Sequence, residues 1–191
     1  MLRRCIVLGV VAFAWIGSEG AAAAQHERAY EFDGTHVAVS IERFMGIDYT
    51  DYEGPIEGEI NARLLLNANE PAPTHFARLG FDVFIERLSI GVAGGVATEP
   101  GPNDAAVIAP RVGYLFGLTP ELGLWLRGGA FYATSGPDWA GIYVEGLFSW
   151  FPYSFLALTF GPTLDVAFAS EDTEPDYVSI GILSFGVSAF F

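Results

Sequence analysis

A chain of 191 residues that is 51% hydrophobic and 15% aromatic amounts to one domain. Its formal charge of −14 argues against nucleic-acid binding, which needs clustered cations, and its nine basic residues are all Arg. Past the first thirty residues, Gly, Pro, Ser or a charge breaks every apolar run before the roughly 20 residues that a transmembrane helix needs.

The amino terminus has the parts of a secretory signal. Met1–Arg4 is basic, Cys5–Ile16 is apolar, Ser18–Gly20 is a polar break, and Ala22-Ala23-Ala24 offers small residues to a signal peptidase. Cleavage is expected after Ala24, leaving a flexible segment over 25–34 and a barrel domain over 35–191. Loss of Arg3, Arg4 and Glu19 moves the charge from −14 to about −15. The single cysteine, Cys5, leaves with this leader, which excludes a disulfide framework, a thiol nucleophile and a Cys-based metal site. Cys5 also lies too far upstream of the cleavage site to carry a lipid.

From residue 35 onward, stretches rich in Val, Ile, Phe, Tyr and Gly alternate with turn chemistry, which predicts eight strands. They are Thr35–Phe44, Thr74–Ile85, Leu88–Thr98, Ala105–Phe116, Glu121–Tyr132, Trp139–Trp150, Tyr153–Ser170 and Tyr177–Phe191. Ile60–Leu66 is the one segment with a hint of helical period, and is read as a short helix or loop.

The connections differ by turns. Met45–Pro73, Glu99–Asp104, Ala133–Asp138 and Glu171–Asp176 are longer and polar or acidic, whereas Glu86-Arg87, Gly117–Pro120 and Phe151-Pro152 are short. A transmembrane barrel has this pattern, with long loops outside and short turns on the periplasmic side. A Greek-key sandwich has no reason to alternate so regularly.

Sorting each strand by parity gives two unlike faces. One is continuously apolar, as in Ile108, Val112, Tyr114 and Phe116, or Leu122, Leu124 and Leu126. The other mixes Gly, Ala and Ser with about one charge per strand, too sparsely polar to face water. The polarity of a membrane barrel follows, apolar outside and small or polar inside. Parity places Glu42, Arg78, Asp82, Arg111, Arg127, Glu145 and Asp165 inside, with His36 nearby. Buried unpaired charges are costly, so an ion-pair network is expected. An eight-stranded interior is just wide enough for side chains to fill it, so a plugged lumen is expected. Parity leaves no charge in the middle of a lipid face. Aromatics near strand ends (Tyr114, Phe116, Phe131, Tyr132, Trp150, Phe151, Phe190 and Phe191) are read as interfacial girdles.

In the last strand Leu183, Phe185, Val187 and Ala189 alternate with Ser184, Gly186 and Ser188 and end at Phe191. A terminal aromatic behind such an alternation resembles the assembly signal of bacterial outer-membrane barrels. Residues 35–191 are similar in architecture to the small barrels of the OmpA-transmembrane-domain and OmpX-like class. The resemblance implies an all-β, closed, antiparallel up-and-down barrel in a Gram-negative outer membrane, in contact with its lipid and with the barrel-assembly and periplasmic chaperone machinery. It carries no functional residue with it.

The role expected is structural, surface-binding or minor porin-like, without catalysis, cofactor, metal or nucleic acid, and as a monomer. His26, His36 and His75 lack the spacing of a zinc pair. The acids Asp48, Asp51, Glu53 and Glu57 lack the spacing of a calcium loop. Gly91–Gly95 lacks the Lys of a phosphate loop. Two alternatives stand beside this reading: a lipid A-modifying enzyme with a His–Ser–acid site, and a secreted lipocalin-like lipid binder.

Overall fold

The computed structural model describes residues 34–52, 59–64, 77–97, 105–134, 138–169 and 176–191. The leader, the segment expected to be flexible, and most of the long first connection lie outside them. The described residues form β1 (Thr35–Tyr52), β2 (Glu59–Leu64), β3 (Arg78–Ile85), β4 (Leu88–Ala97), β5 (Ala105–Thr119), β6 (Leu122–Thr134), β7 (Asp138–Tyr153), β8 (Leu156–Ala169) and β9 (Tyr177–Phe190). Neighbours pair antiparallel in chain order from β3 to β9, and β1 pairs with both β3 and β9, which closes a barrel. Beyond β9, Val37 and Phe191 exchange backbone hydrogen bonds of 3.0 and 2.9 Å, so the last residue continues the seam.

The barrel has eight wall positions although nine strands occur among the described residues. β2 and β3 share the second position: β2 pairs with the upper half of β1 (Met45↔Leu64 to Thr50↔Glu59), and β3 with its lower half (Thr35↔Ile85 to Glu42↔Arg78). The helix or loop expected at Ile60–Leu66 is therefore a strand over Glu59–Leu64. In a run this short, apolar residues at 60, 62 and 64 fit a strand's alternation as well as a helix, and only pairing with β1 decides.

Other boundaries also move. The first strand runs to Tyr52 rather than Phe44, because its upper half hydrogen-bonds on both edges despite its acids. The strand expected at Thr74–Ile85 is described from Arg78. The last short turn is Ser154-Phe155 rather than Phe151-Pro152, since Phe151 still donates a backbone bond to the Glu121 carbonyl, 2.8 Å away. Pro152, which has no N–H to donate, falls in the register shift between Trp150 and Tyr153. The turns Glu86-Arg87, Pro120-Glu121 and Ser154-Phe155 share one end of the barrel, and the strand ends Ala97, Ala105, Thr134, Asp138, Ala169 and Tyr177 share the other.

The exterior is apolar. Leu79, Ile90, Val92, Ile108, Val112, Ile142, Val144, Ile182 and their outward neighbours are exposed, while every charge that parity placed inside is buried. A lipocalin-like barrel in water would need the reverse. The aromatics divide: Tyr114, Phe116, Tyr132, Trp150 and Phe191 face out, but Phe131, Phe151 and Phe190 are buried in the lumen. The girdle reading fails for these three because each has the inward parity of its strand. Aromatic residues at a strand end serve a membrane interface and a barrel plug equally well.

Lipid contact makes the outer face intolerant of charge according to depth. Ile142, 58% exposed, is four residues into the sixteen-residue β7. Ile142→Arg should lower unfolding stability by about 2–4 kcal/mol if the site lies near the bilayer midplane. Tyr153→Arg, at the short-turn rim, should cost about 1 kcal/mol or less. Urea unfolding in lipid vesicles measures both, and equal costs would contradict the difference in membrane depth between the two positions.

Candidate functional site

The lumen is built in three layers. At the short-turn end Phe84, Leu115, Trp125, Phe151 and Phe190 pack with Ala38 and Ala157. At the loop end Phe131, Trp139, Tyr143 and Tyr177 pack with Val107 and four alanines. Between them lie, among the described residues, eight buried charged side chains: Glu42, Arg43, Arg78, Asp82, Arg111, Arg127, Glu145 and Asp165. Four are cations and four are anions, so the layer is neutral.

The partners are specific. Arg111 grips two carboxylates, Asp82 through Nε and Nη2 (2.8 and 2.5 Å) and Glu42 through Nη1 and Nη2 (both 2.6 Å). Arg127 donates to Glu42 at 2.9 Å and, through Nε, to Glu145, directly opposite it on β7. Arg43 reaches across the barrel to Asp165 with two bonds (2.5 and 2.9 Å) and to Glu145 with a third (2.8 Å). Fork-shaped guanidinium donors suit such bidentate pairing, which a lysine ammonium cannot reproduce. Ser40 donates to Glu42 at 2.5 Å.

Aromatic faces shelve the cations on both sides. Trp125, whose Nε1 donates to Ser89 at 3.0 Å, lies under Arg127 and Arg111, with guanidinium carbons 4.5 and 5.8 Å from a ring centroid. Tyr143 does the same for Arg43 and Arg78, at 5.7 and 5.9 Å. Cation–π attraction strengthens where water is absent.

The network requires glycines. Arg111 faces Gly91 on β4 and Gly129 on β6, and Arg127 faces Gly113 on β5. A Cβ on Gly80 would collide with Ser40, Glu42 and Arg111 side-chain atoms. At Gly91 the missing side chain makes room for the Asp82 carboxylate, and at Gly113 for Ser89, Trp125 and the Arg127 stem.

The seven residues that parity assigned to the interior are therefore all in the layer, and six of them are joined by the contacts above. Arg78 is buried beside them at the Tyr143 ring. His36 is partly buried at the short-turn end, in register with Phe84, and His26 and His75 lie outside the described residues. Leu183, Phe185, Val187 and Ala189 point outward and are half-buried, and Phe191 is exposed.

Arg43 is the member that parity missed. Strict alternation after Glu42 points it at lipid. A bulge between Ile41 and Met45 against β9, with Arg43 itself in the left-handed region (φ 53°), turns both Glu42 and Arg43 inward. Ending the first strand at Phe44 leaves Arg43 at a rim, where an outward cation is harmless. In a strand that runs to Tyr52 it is mid-wall, and the cost of a cation facing lipid there is the signal that betrays the bulge.

No protein-family model matches the chain, and no curated protein matches its sequence. Among solved structures it is similar to Neisserial surface protein A, at 13% identity with a TM-score of 0.52, covering 82% of this chain and 97% of that one. It also aligns with the N-terminal β-barrel domain of Pseudomonas aeruginosa OprF (10% identity, TM-score 0.45, 82% and 97% covered). A third alignment is with Ail, the attachment invasion locus protein of Yersinia pestis (10%, 0.47, 83% and 100%). The fold is a closed eight-position antiparallel barrel, and its apolar exterior and inward-facing charges are those of a small transmembrane β-barrel of the outer-membrane class. Short turns at one end, longer loops at the other and an apolar outer belt are the arrangement of bacterial outer-membrane barrels.

Removing one partner of a buried ion pair leaves the other uncompensated, at about 3–5 kcal/mol. Arg43→Met should destabilise the barrel by that order, since methionine keeps the backbone cost of the left-handed position. Adding Asp165→Asn restores a neutral layer and should recover about 0.5–3 kcal/mol as coupling energy. A double-mutant cycle from urea unfolding checks this, and strictly additive costs would show that the pair is not coupled.

Proposed function

We propose that this outer-membrane barrel is a sealed, non-enzymatic envelope protein whose transmembrane part is structural and whose outer loops meet partners at the cell surface. The observation that carries the reading is the neutral layer of four arginines and four acids held between two aromatic plugs. Side chains that are mutually neutralised, bidentate and shelved on rings offer a passing ion neither a continuous water column nor a net charge to follow.

The charge distribution supports the surface half of the proposal. Because the lumen charges cancel, the chain's negative charge resides outside the lumen. Much of it falls in the sequence segments Asp48–Glu59, Glu99–Asp104 and Glu171–Asp176. A face of this sign suits cationic partners and repels anionic ones. Outer-membrane lipid covers the apolar belt, the barrel-assembly and periplasmic chaperone machinery deliver the chain, it acts as a monomer, and it needs no cofactor, metal or nucleic acid.

Planar-bilayer recording tests the seal. The wild-type protein should give no large, stable conductance, and a persistent open channel would refute the plugged lumen. Mass spectrometry of lipid A from cells with and without the protein tests the absence of catalysis. The two spectra should coincide, and a reproducible shift in acylation or phosphate content would move the protein to the lipid-modifying enzymes.

A further inference from the structure

One cavity touches the charged layer without being filled by it. Glu42, Arg43, Arg127 and Glu145 line it from the layer, and Thr159 and Ser184 from β8 and β9. Its volume of about 10 Å³ is about the least that holds one water molecule. Ser184 is 2% exposed, and its buried hydroxyl has no hydrogen-bond partner. An unsatisfied buried hydroxyl is costly, and a resident water is the usual remedy where the site is polar and large enough.

We propose that this cavity is a binding site for a single structural water, held by the Ser184 hydroxyl and the surrounding ion pairs. The occupant's chemistry follows from the lining. Two carboxylates and two guanidinium groups face it, so a cation gains from Glu42 and Glu145 what it loses to Arg43 and Arg127. Water, which both donates and accepts, satisfies carboxylate oxygens and the serine hydroxyl together. The site lies where Arg43 is turned inward by the bulge and where Ser184 and Gly186 leave space on β9, so the water fills the gap that the bulge leaves at the β1–β9 seam. The proposal rests on the sealed-lumen reading, since in an open channel the same space would hold bulk solvent.

Diffraction from crystals of the full chain, at a resolution that shows ordered water, provides the test. One spherical peak is expected about 2.5–3.0 Å from Ser184 Oγ, in crystals grown with either sodium or rubidium. Ser184→Val fills the cavity and should lose the peak. An empty cavity in the wild type overturns the proposal, as does an anomalous rubidium signal at the site. If the valine variant does not fold, the wild-type density decides alone. Bilayer recording separates the two readings: a silent barrel with an empty cavity sinks only the water, and a conducting barrel sinks the seal.

Discussion

The structure depends on the burial of charge inside a narrow barrel. Four buried guanidinium groups are tenable only if each finds anionic or aromatic partners, and the wall is shaped to supply them. Glycines stand opposite Arg111 and Arg127 to leave room, Trp125 and Tyr143 bracket the layer, and the backbone of β1 is strained at Arg43 to bring in the fourth cation. Without Arg43 the layer would hold three cations against four anions.

This constraint ties the seam to the lumen. β1 meets β9, the last strand, and the bulge that turns Arg43 inward interrupts that pairing between Ile41 and Met45. Arg43 bonds to Asp165 on β8 and Glu145 on β7, so the first strand is fastened across the interior to strands it does not neighbour in the sheet. Closure rests on the backbone ladder and on these ion pairs together, and the pairs also fix the register of the closing strands. The chain thus combines a membrane-facing exterior that any apolar residue can satisfy with an interior where few substitutions fit.

Much of the fold was legible because a barrel's rules are local. Alternation along single strands separates the faces, and alternating loop lengths give the up-and-down order. The errors arose where alternation stops being local. The upper half of β1 and β2 mix acidic and polar residues with apolar ones, and their strand character comes from pairing, β2 with β1 and the upper half of β1 with β9 as well. Phe131, Phe151 and Phe190 are at strand ends, where the membrane interface and the lumen plug make the same demand for an aromatic ring.

The candidate site divides in the same way. From sequence alone, period-two alternation determined that Glu42, Arg78, Asp82, Arg111, Arg127, Glu145 and Asp165 share one face, and the cost of unpaired charge made a network the natural expectation. Tertiary structure decided which carboxylate each arginine grips, because partners such as Arg43 and Asp165 are 122 residues apart and meet only when the barrel closes. It also decided Arg43 itself. A two-residue period has no term for a bulge, and the bulge exists because β1 must satisfy β9 on one edge, β2 and β3 on the other, and the charge balance of the lumen at once.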